Sequence, residues 1–231
     1  MIKQFEYSSS GPRPENQDSQ SFTRTGDAAF AAIADGVGGN NGGKYASDFV
    51  VRFMADKFKE NINLKEALGL ANAKILELAF QHEVWNCLAS TFTGCSIENL
   101  RLNGVHCGDS RLYILRGNGL KQLSEDHSEV AKLLRKGKLS AKEAINYPRR
   151  NVLYSAIGAG ESIEIQDFEF SLQPKDRILL LTDGVSGVVS KKQVRDLSVA
   201  SPSLENCWEH LIDLIEAGKP TDNFTFQIIE I

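Results

Sequence analysis

Cysteine is scarce in this chain. Of 231 residues only Cys87, Cys95, Cys107 and Cys207 are cysteine, and none stands at CxxC spacing. A zinc site or a disulfide framework is therefore not expected, and each cysteine reads as a small buried hydrophobe. No apolar run approaches ~18 residues, so membrane insertion has no support. No basic block or stripe is present either. Formal charge is 26 − 30 = −4, which leaves a nucleic-acid partner without an electrostatic footprint. The first residues, MIKQFEYSSS, lack the apolar centre of an export signal. With no paired cysteines, the expected compartment is the cytoplasm.

What is present is an ordinary globular composition, 42% apolar and 24% charged. That length suits one domain, 1–231, and no linker or long repeat divides it. Strand character marks 2–8, 19–24, 28–34, 90–98, 100–107, 111–116, 120–123, 163–171, 177–182 and 223–231. The glycine-rich stretch 36–43 is expected to end the third of these, and Glu98-Asn99 to turn the chain between two others. Helical spacing marks 44–60, where Tyr45, Phe49, Phe53 and Phe58 share a face, and 64–84, opened by Asn63 as N-cap. Further helices fit 127–136, 140–146, 190–197 and 202–217. Consecutive strands with tight turns favour antiparallel sheets, and helices segregated to sheet faces make the class α+β.

One phrase appears twice. Residues 28–39 read AAFAAIADGVGG and residues 176–187 read DRILLLTDGVSG. Each apolar strand delivers an aspartate, Asp35 or Asp183, backed by a glycine. A buried strand cannot run through an ionised carboxylate without a partner. Asp18, in RPENQDS, Asp109, in CGDSR, and Asp222, in TDN, also lie at strand ends or in the joining loops. If these carboxylates converge, their repulsion is relieved by divalent cations, and an all-oxygen set selects Mg²⁺ or Mn²⁺ over zinc. Two cations ~3.5–4 Å apart can hold a hydroxide between them and clamp phosphoryl oxygens. Arg13, five residues before Asp18, offers a guanidinium fork for phosphate. Singly, each Asp-Gly is a common turn and Arg13 a surface residue; the reading rests on their joint occurrence.

In order, the chain carries Arg13, Asn16-Gln17-Asp18-Ser19, Ala34-Asp35-Gly36-Val37-Gly38-Gly39, Gly108-Asp109-Ser110-Arg111, Asp126-His127-Ser128, Thr182-Asp183-Gly184-Val185 and Asp222-Asn223-Phe224-Thr225. This set resembles the PP2C (PPM) family of metal-dependent protein serine/threonine phosphatases in its compact bacterial form. The resemblance implies a four-layer α/β/β/α sandwich with metals at one edge between two antiparallel sheets. It implies hydrolysis of phosphoserine and phosphothreonine by a metal-bridging water or hydroxide, with no covalent intermediate. Asp35 bridges both metals in that analogy, the Gly36 carbonyl ligates one, and Asp183 and Asp222 complete the other. Asp18 acts through water, Asp109 with Asp183 matches a third, looser metal site, and Arg13 binds phosphate. Segment 127–157 corresponds to a flap beside the site. Phosphorylated proteins are the implied partners, opposed by a Ser/Thr kinase, and a monomer is expected.

Three departures accompany the likeness. Gln17 stands where many members carry an acid. Val37 stands where animal enzymes place a histidine proposed as general acid, leaving His127 as a candidate by elimination. Ser155 and Gly187 replace an arginine and an aspartate frequent in the family, which bears on flap anchoring. The alternatives are a PP2C-like module that only binds phosphoproteins, and a phosphatase of a small phosphorylated metabolite. His82, His106, His210, Trp85 and Trp208 read as structural or surface residues. Lys132, Arg135, Lys136 and Lys138 read as a solvated helix face, with attraction of acidic phosphopeptides as the functional alternative.

Overall fold

The computed structural model describes residues 2–37, 41–81 and 88–231. Gly38, Gly39, His82, Trp85, Cys87 and the expected helical turn up to residue 84 lie outside the described residues.

Two antiparallel sheets form the centre. The first runs β1 (Lys3–Ser9), β11 (Phe224–Glu230), β10 (Arg177–Leu181), β7 (Arg111–Arg116), β8 (Gly119–Gln122). The second runs β2 (Asp18–Thr25), β3 (Ala28–Val37), β5 (Phe92–Glu98), β6 (Arg101–Cys107), β9 (Gln166–Ser171), with β4 (Ala89–Ser90) paired to the end of β3. Period-two alternation sorts the side chains into three cores. From β3 and β10, Ala31, Ile33, Ile178 and Leu180 meet between the sheets. Phe30, Ala32 and Ala34 face outward, under α1 (Asn41–Lys59) and α2 (Leu64–Gln81). Leu179 and Leu181 face the other way, under α6 (Lys191–Ala200) and α7 (Leu204–Ala217). The result is the four-layer α/β/β/α order.

Several boundaries move, each for a physical reason. β3 does not stop at Ala34, because β4 continues its ladder through Gly36↔Ser90 and Val37↔Ala89. The strand expected over 90–98 breaks at Thr91 into β4 and β5. The β5–β6 turn is Asn99-Leu100, both in the left-handed region, rather than Glu98-Asn99. The strand expected from residue 163 starts at Gln166. The helical piece from 127 starts at Glu129, capped by Ser128, and the piece from 140 starts at Ala141, where Ser140 and Glu143 form a capping box. The aromatic stripe of α1 lies at the margin of its buried face. Ala46, Val50 and Met54 take the centre, while Phe49 and Phe53 stack at the edge. The three described cysteines are buried and unpaired. Among the described residues no helix is long and apolar enough to cross a membrane.

Candidate metal centre

The ladder brings the aspartates to one end. Asp18 and Asp35 are direct partners across β2 and β3, and Asp35 continues the inward-facing series Ala31, Ile33. From the opposite sheet, β10 delivers Asp183, which opens the short helix α5 (Asp183–Ser186). Asp222 precedes β11, and Asp109 sits where the chain crosses from β6 to β7. Asp35, Asp109, Asp183 and Asp222 line one groove of about 870 Å³.

Small polar residues fix these positions. The Thr91 hydroxyl accepts the Asp35 backbone N–H at 2.9 Å, and the Asp35 carbonyl accepts from Thr91 N–H at 2.8 Å and Ser90 Oγ at 2.9 Å. Thr91 also meets Ser110, beside Asp109, at 2.9 Å. Thr182 Oγ1 donates to Asp18 Oδ2 at 2.9 Å and accepts from Thr225 N–H at 3.0 Å, tying the two sheets together at the site. Asn223 pins the Arg13 loop: its Oδ1 accepts Gln17 N–H, and its Nδ2 donates to the carbonyls of Ser10 and Glu15. Sequence reading quoted Asn223 and Thr182 within motifs but gave neither a task, and it passed over Thr91. The pattern over 90–98 shows no break at Thr91, so its place beside Ser90 amid small polar residues was the only signal.

The carboxylates raise one another. Asp18 is buried, and burial with the charges of Asp183 and Asp222 pushes it up to about 7, against the bonds from Thr225 and Thr182. Asp35 is held well above the carboxylate range by burial, then by Asp18, Asp183 and Asp109. Asp109 is pushed up to about 7 by burial, then Asp183 and Asp126. Burial and Asp222 also raise Asp183, which shares a hydrogen bond with Asp35. The nearby cation Arg111 is committed elsewhere, gripping both oxygens of Asp126 through Nε and Nη2.

A divalent cation fits this set. All donors are oxygens, and Asp18 Oδ1 is buried with no hydrogen-bond partner. Among the described residues, however, no three carboxylate, imidazole or thiol groups are gathered tightly enough to hold an ion as they stand. The reason lies in their present partners: Asp18 is turned to Thr182, Asp35 to Asp183, and Asp222 to Arg13 at 2.8 Å. Ligation requires these carboxylates to exchange those partners.

The flap borders the groove. Val152, Leu153 and Tyr154 line it together with the aspartates. Ser155 anchors the flap's base, bonding Cys107 Sγ, the Glu164 carbonyl and the Glu164 N–H. Two of the four basic residues clustered at 132–138 are structural: Lys132 lies over the Tyr154 ring, and Arg135 bonds the Tyr154 hydroxyl and the Asp126 carbonyl. Lys136 and Lys138 face outward. His127 is buried, its Nδ1 accepting from Gly108 N–H and its ring packed between His106 and Tyr154. It is a structural residue here and does not face the groove as an acid. His106 is buried between Thr93 and the Glu125 carbonyl. Trp208 packs at the α7 core margin and donates to the Glu6 carbonyl, while His210 is exposed.

Comparison with known proteins gives a consistent result. The family model described as Protein phosphatase 2C matches residues 13–215. The chain is 30% identical over 226 residues to Serine/threonine phosphatase stp of Listeria welshimeri, covering 94% of this chain and 86% of that one. The crystal structure of Serine/threonine phosphatase Stp1 from Staphylococcus aureus superposes with a TM-score of 0.93 at 23% identity, covering 100% and 95% of the two chains, a likeness of fold. The catalytic domain of the phosphatase PstP, crystallised with 2 manganese ions, superposes at 0.86 with 26% identity, covering 99% and 97%.

Proposed function

The chain belongs to the protein phosphatase 2C family, and from that premise we propose how its own residues carry metal-dependent hydrolysis of phosphoserine and phosphothreonine in proteins. The observation that carries the proposal is the pairing of Asp18 with Asp35 on one sheet, facing Asp183 on the other, with Arg13 and Asp222 at the rim.

Divalent cations, Mn²⁺ or Mg²⁺, supply charge neutralisation at phosphoryl oxygens and acidify water when bound. Asp35 would hold two ions and the Gly36 carbonyl one of them; Asp183 and Asp222 would complete the other. Asp18 would act through water, for which its unpartnered Oδ1 is suited. Asp109, with Asp183, would hold a third ion. Arg13, exposed at the rim, binds and orients the phosphoryl group through its fork. With His127 enclosed, solvent in the open groove protonates the leaving alkoxide. Residues 1–231 act as one catalytic domain, with 127–157 as the flap over the substrate. The partners in this proposal are phosphoproteins and an opposing Ser/Thr kinase, and the enzyme is a cytoplasmic monomer. The three described cysteines, buried and unpaired, suit a reducing compartment.

The test is turnover of p-nitrophenyl phosphate, a phosphopeptide panel and small phosphate esters with Mn²⁺, then with chelator. Activity that depends on Mn²⁺, collapses in Asp183→Asn and favours phosphopeptides is expected. Turnover indifferent to chelator or to Asp183→Asn overturns the metal assignment. Preference for a small ester overturns the protein-substrate assignment.

A further inference from the structure

Arg13 and Asp222 make an ion pair at the mouth of the site. Arg13 Nη2 stands 2.8 Å from Asp222 Oδ2, with the two side chains 54% and 44% exposed. The other oxygen of Asp222 is also engaged, since Oδ1 accepts the Asn223 N–H at 2.9 Å. The pair lines a recess of about 320 Å³ shared with Asp35 and Gly36. Asp183 and Asp35 pull on the same guanidinium, though less than Asp222. So the group suited to phosphate now sits on a carboxylate suited to a cation. A cation that takes Asp222 must displace Arg13 from Oδ2 or share the oxygen with a second positive charge, and like charges at that separation repel.

We propose that Arg13 and a divalent cation compete for Asp222, so that Arg13 lowers the affinity of one ion until a phosphoryl group draws the guanidinium away. This rests on the ligand role proposed for Asp222. The linkage is reciprocal: if phosphate relieves the competition, metal occupancy also favours phosphate binding by the same factor. It gives Arg13 an effect on metal loading that is separate from its contact with substrate. The exposed pair sets the scale, since such pairs contribute little and their loss changes affinity by about two- to fivefold.

The experiment is Mn²⁺ binding by calorimetry, with free Mn²⁺ counted by electron paramagnetic resonance, on wild type, Arg13→Gln, Asp222→Asn and the double variant. Without phosphate, Arg13→Gln binds the weaker ion about two- to fivefold more tightly. Arg13→Lys, which keeps a charge but loses the fork, falls between the two. In the Asp222→Asn background, Arg13→Gln leaves the remaining ion unaffected. Saturating inorganic phosphate narrows the gap between wild type and Arg13→Gln. An unchanged or weaker affinity in Arg13→Gln overturns the proposal. So does an equal gain in the Asp222→Asn background, which marks a general field rather than competition for one carboxylate. In either case, wild-type binding that is lost on Asp222→Asn leaves the metal centre standing. If wild type binds no Mn²⁺, the metal centre itself fails and this inference with it.

Discussion

The two Asp-Gly ends share three residues in a row, Asp-Gly-Val, yet they are built differently. Asp35 lies inside a ladder, with Asp18 opposite on β2 and Ser90-Thr91 holding its backbone on the other side. Asp183 leaves its strand and opens a helical turn. The glycines differ as well. A Cβ on Gly36 would stand 2.4 Å from the carbonyl of Gly43, in the first turn of α1. A Cβ on Gly184 would stand 1.9 Å from the carbonyl of Asn223, the residue that pins the Arg13 loop. The same phrase thus fixes one carboxylate by strand pairing and the other by close backbone approach. The likeness is chemical, not an internal repeat.

The largest effect that tests this contrast is kinetic. If Asp35 holds both core ions and Asp183 only one of them beside the looser third, Asp35→Asn lowers kcat/KM by about 10³ or more. Asp183→Asn lowers it by about 10², with partial recovery at raised Mn²⁺. Steady-state kinetics against Mn²⁺ concentration checks this, and equal, unrecoverable losses break the comparison. Next is Gly184→Ala. The new methyl meets backbone that cannot rotate away, so urea denaturation shows a loss of about 2–4 kcal/mol, with activity lost as Asn223 moves. Gly36→Ala costs less by the same measure, because its contact is more distant.

The threonines sharpen the comparison further. Thr182→Val strips one donor from buried Asp18 and costs about 1–3 kcal/mol in urea denaturation. Thr91→Val orphans one backbone N–H beside Asp35 and costs towards the lower end of that range. The smallest effect near neutral pH is a pH slope. Burial, then the neighbouring His127, lowers His106 to about 3 in the folded protein. Below its unfolded value of about 6.5, the unfolded chain binds a proton that the native chain refuses. Stability from this group is therefore full above about pH 6.5 and falls on acidification by roughly 1.4 kcal/mol per unit. Thermal melts between pH 4 and 7 should show that slope, and His106→Gln should lose its share of it.

The α+β class was legible because the unbroken apolar runs in 28–34 and 178–181 need cover on both faces; the layer order came with the family resemblance. The aspartates were legible because buried strands do not end in carboxylates without cause. The helical turn at Asp183 was not legible: four residues carry no periodicity, and Gly184 speaks for a turn of any kind. Nor was the extension of β3 to Val37. It depends on Ala89 and Ser90, more than fifty positions away, arriving to pair with it. The present partners of the carboxylates were hidden for the same reason. Thr182 with Asp18 and Arg13 with Asp222 are separated by 164 and 209 positions. The aromatic spacing of α1 pointed to the right helix and the wrong centre of its face, since small residues allow closer packing on β3.

β11 lies between β1 and β10, and Asp222 and Asn223 immediately precede it. A ribosome makes this strand after every other described element. Until it emerges, β1 and β10 have no shared neighbour, the Arg13 loop has no pin, and the rim lacks Asp222. A growing chain can therefore complete its helix-covered second sheet before β11 is made, and on the roles proposed for Asp222 and Arg13 it hydrolyses nothing until then. On that assignment the order of the strands alone withholds hydrolytic competence during translation.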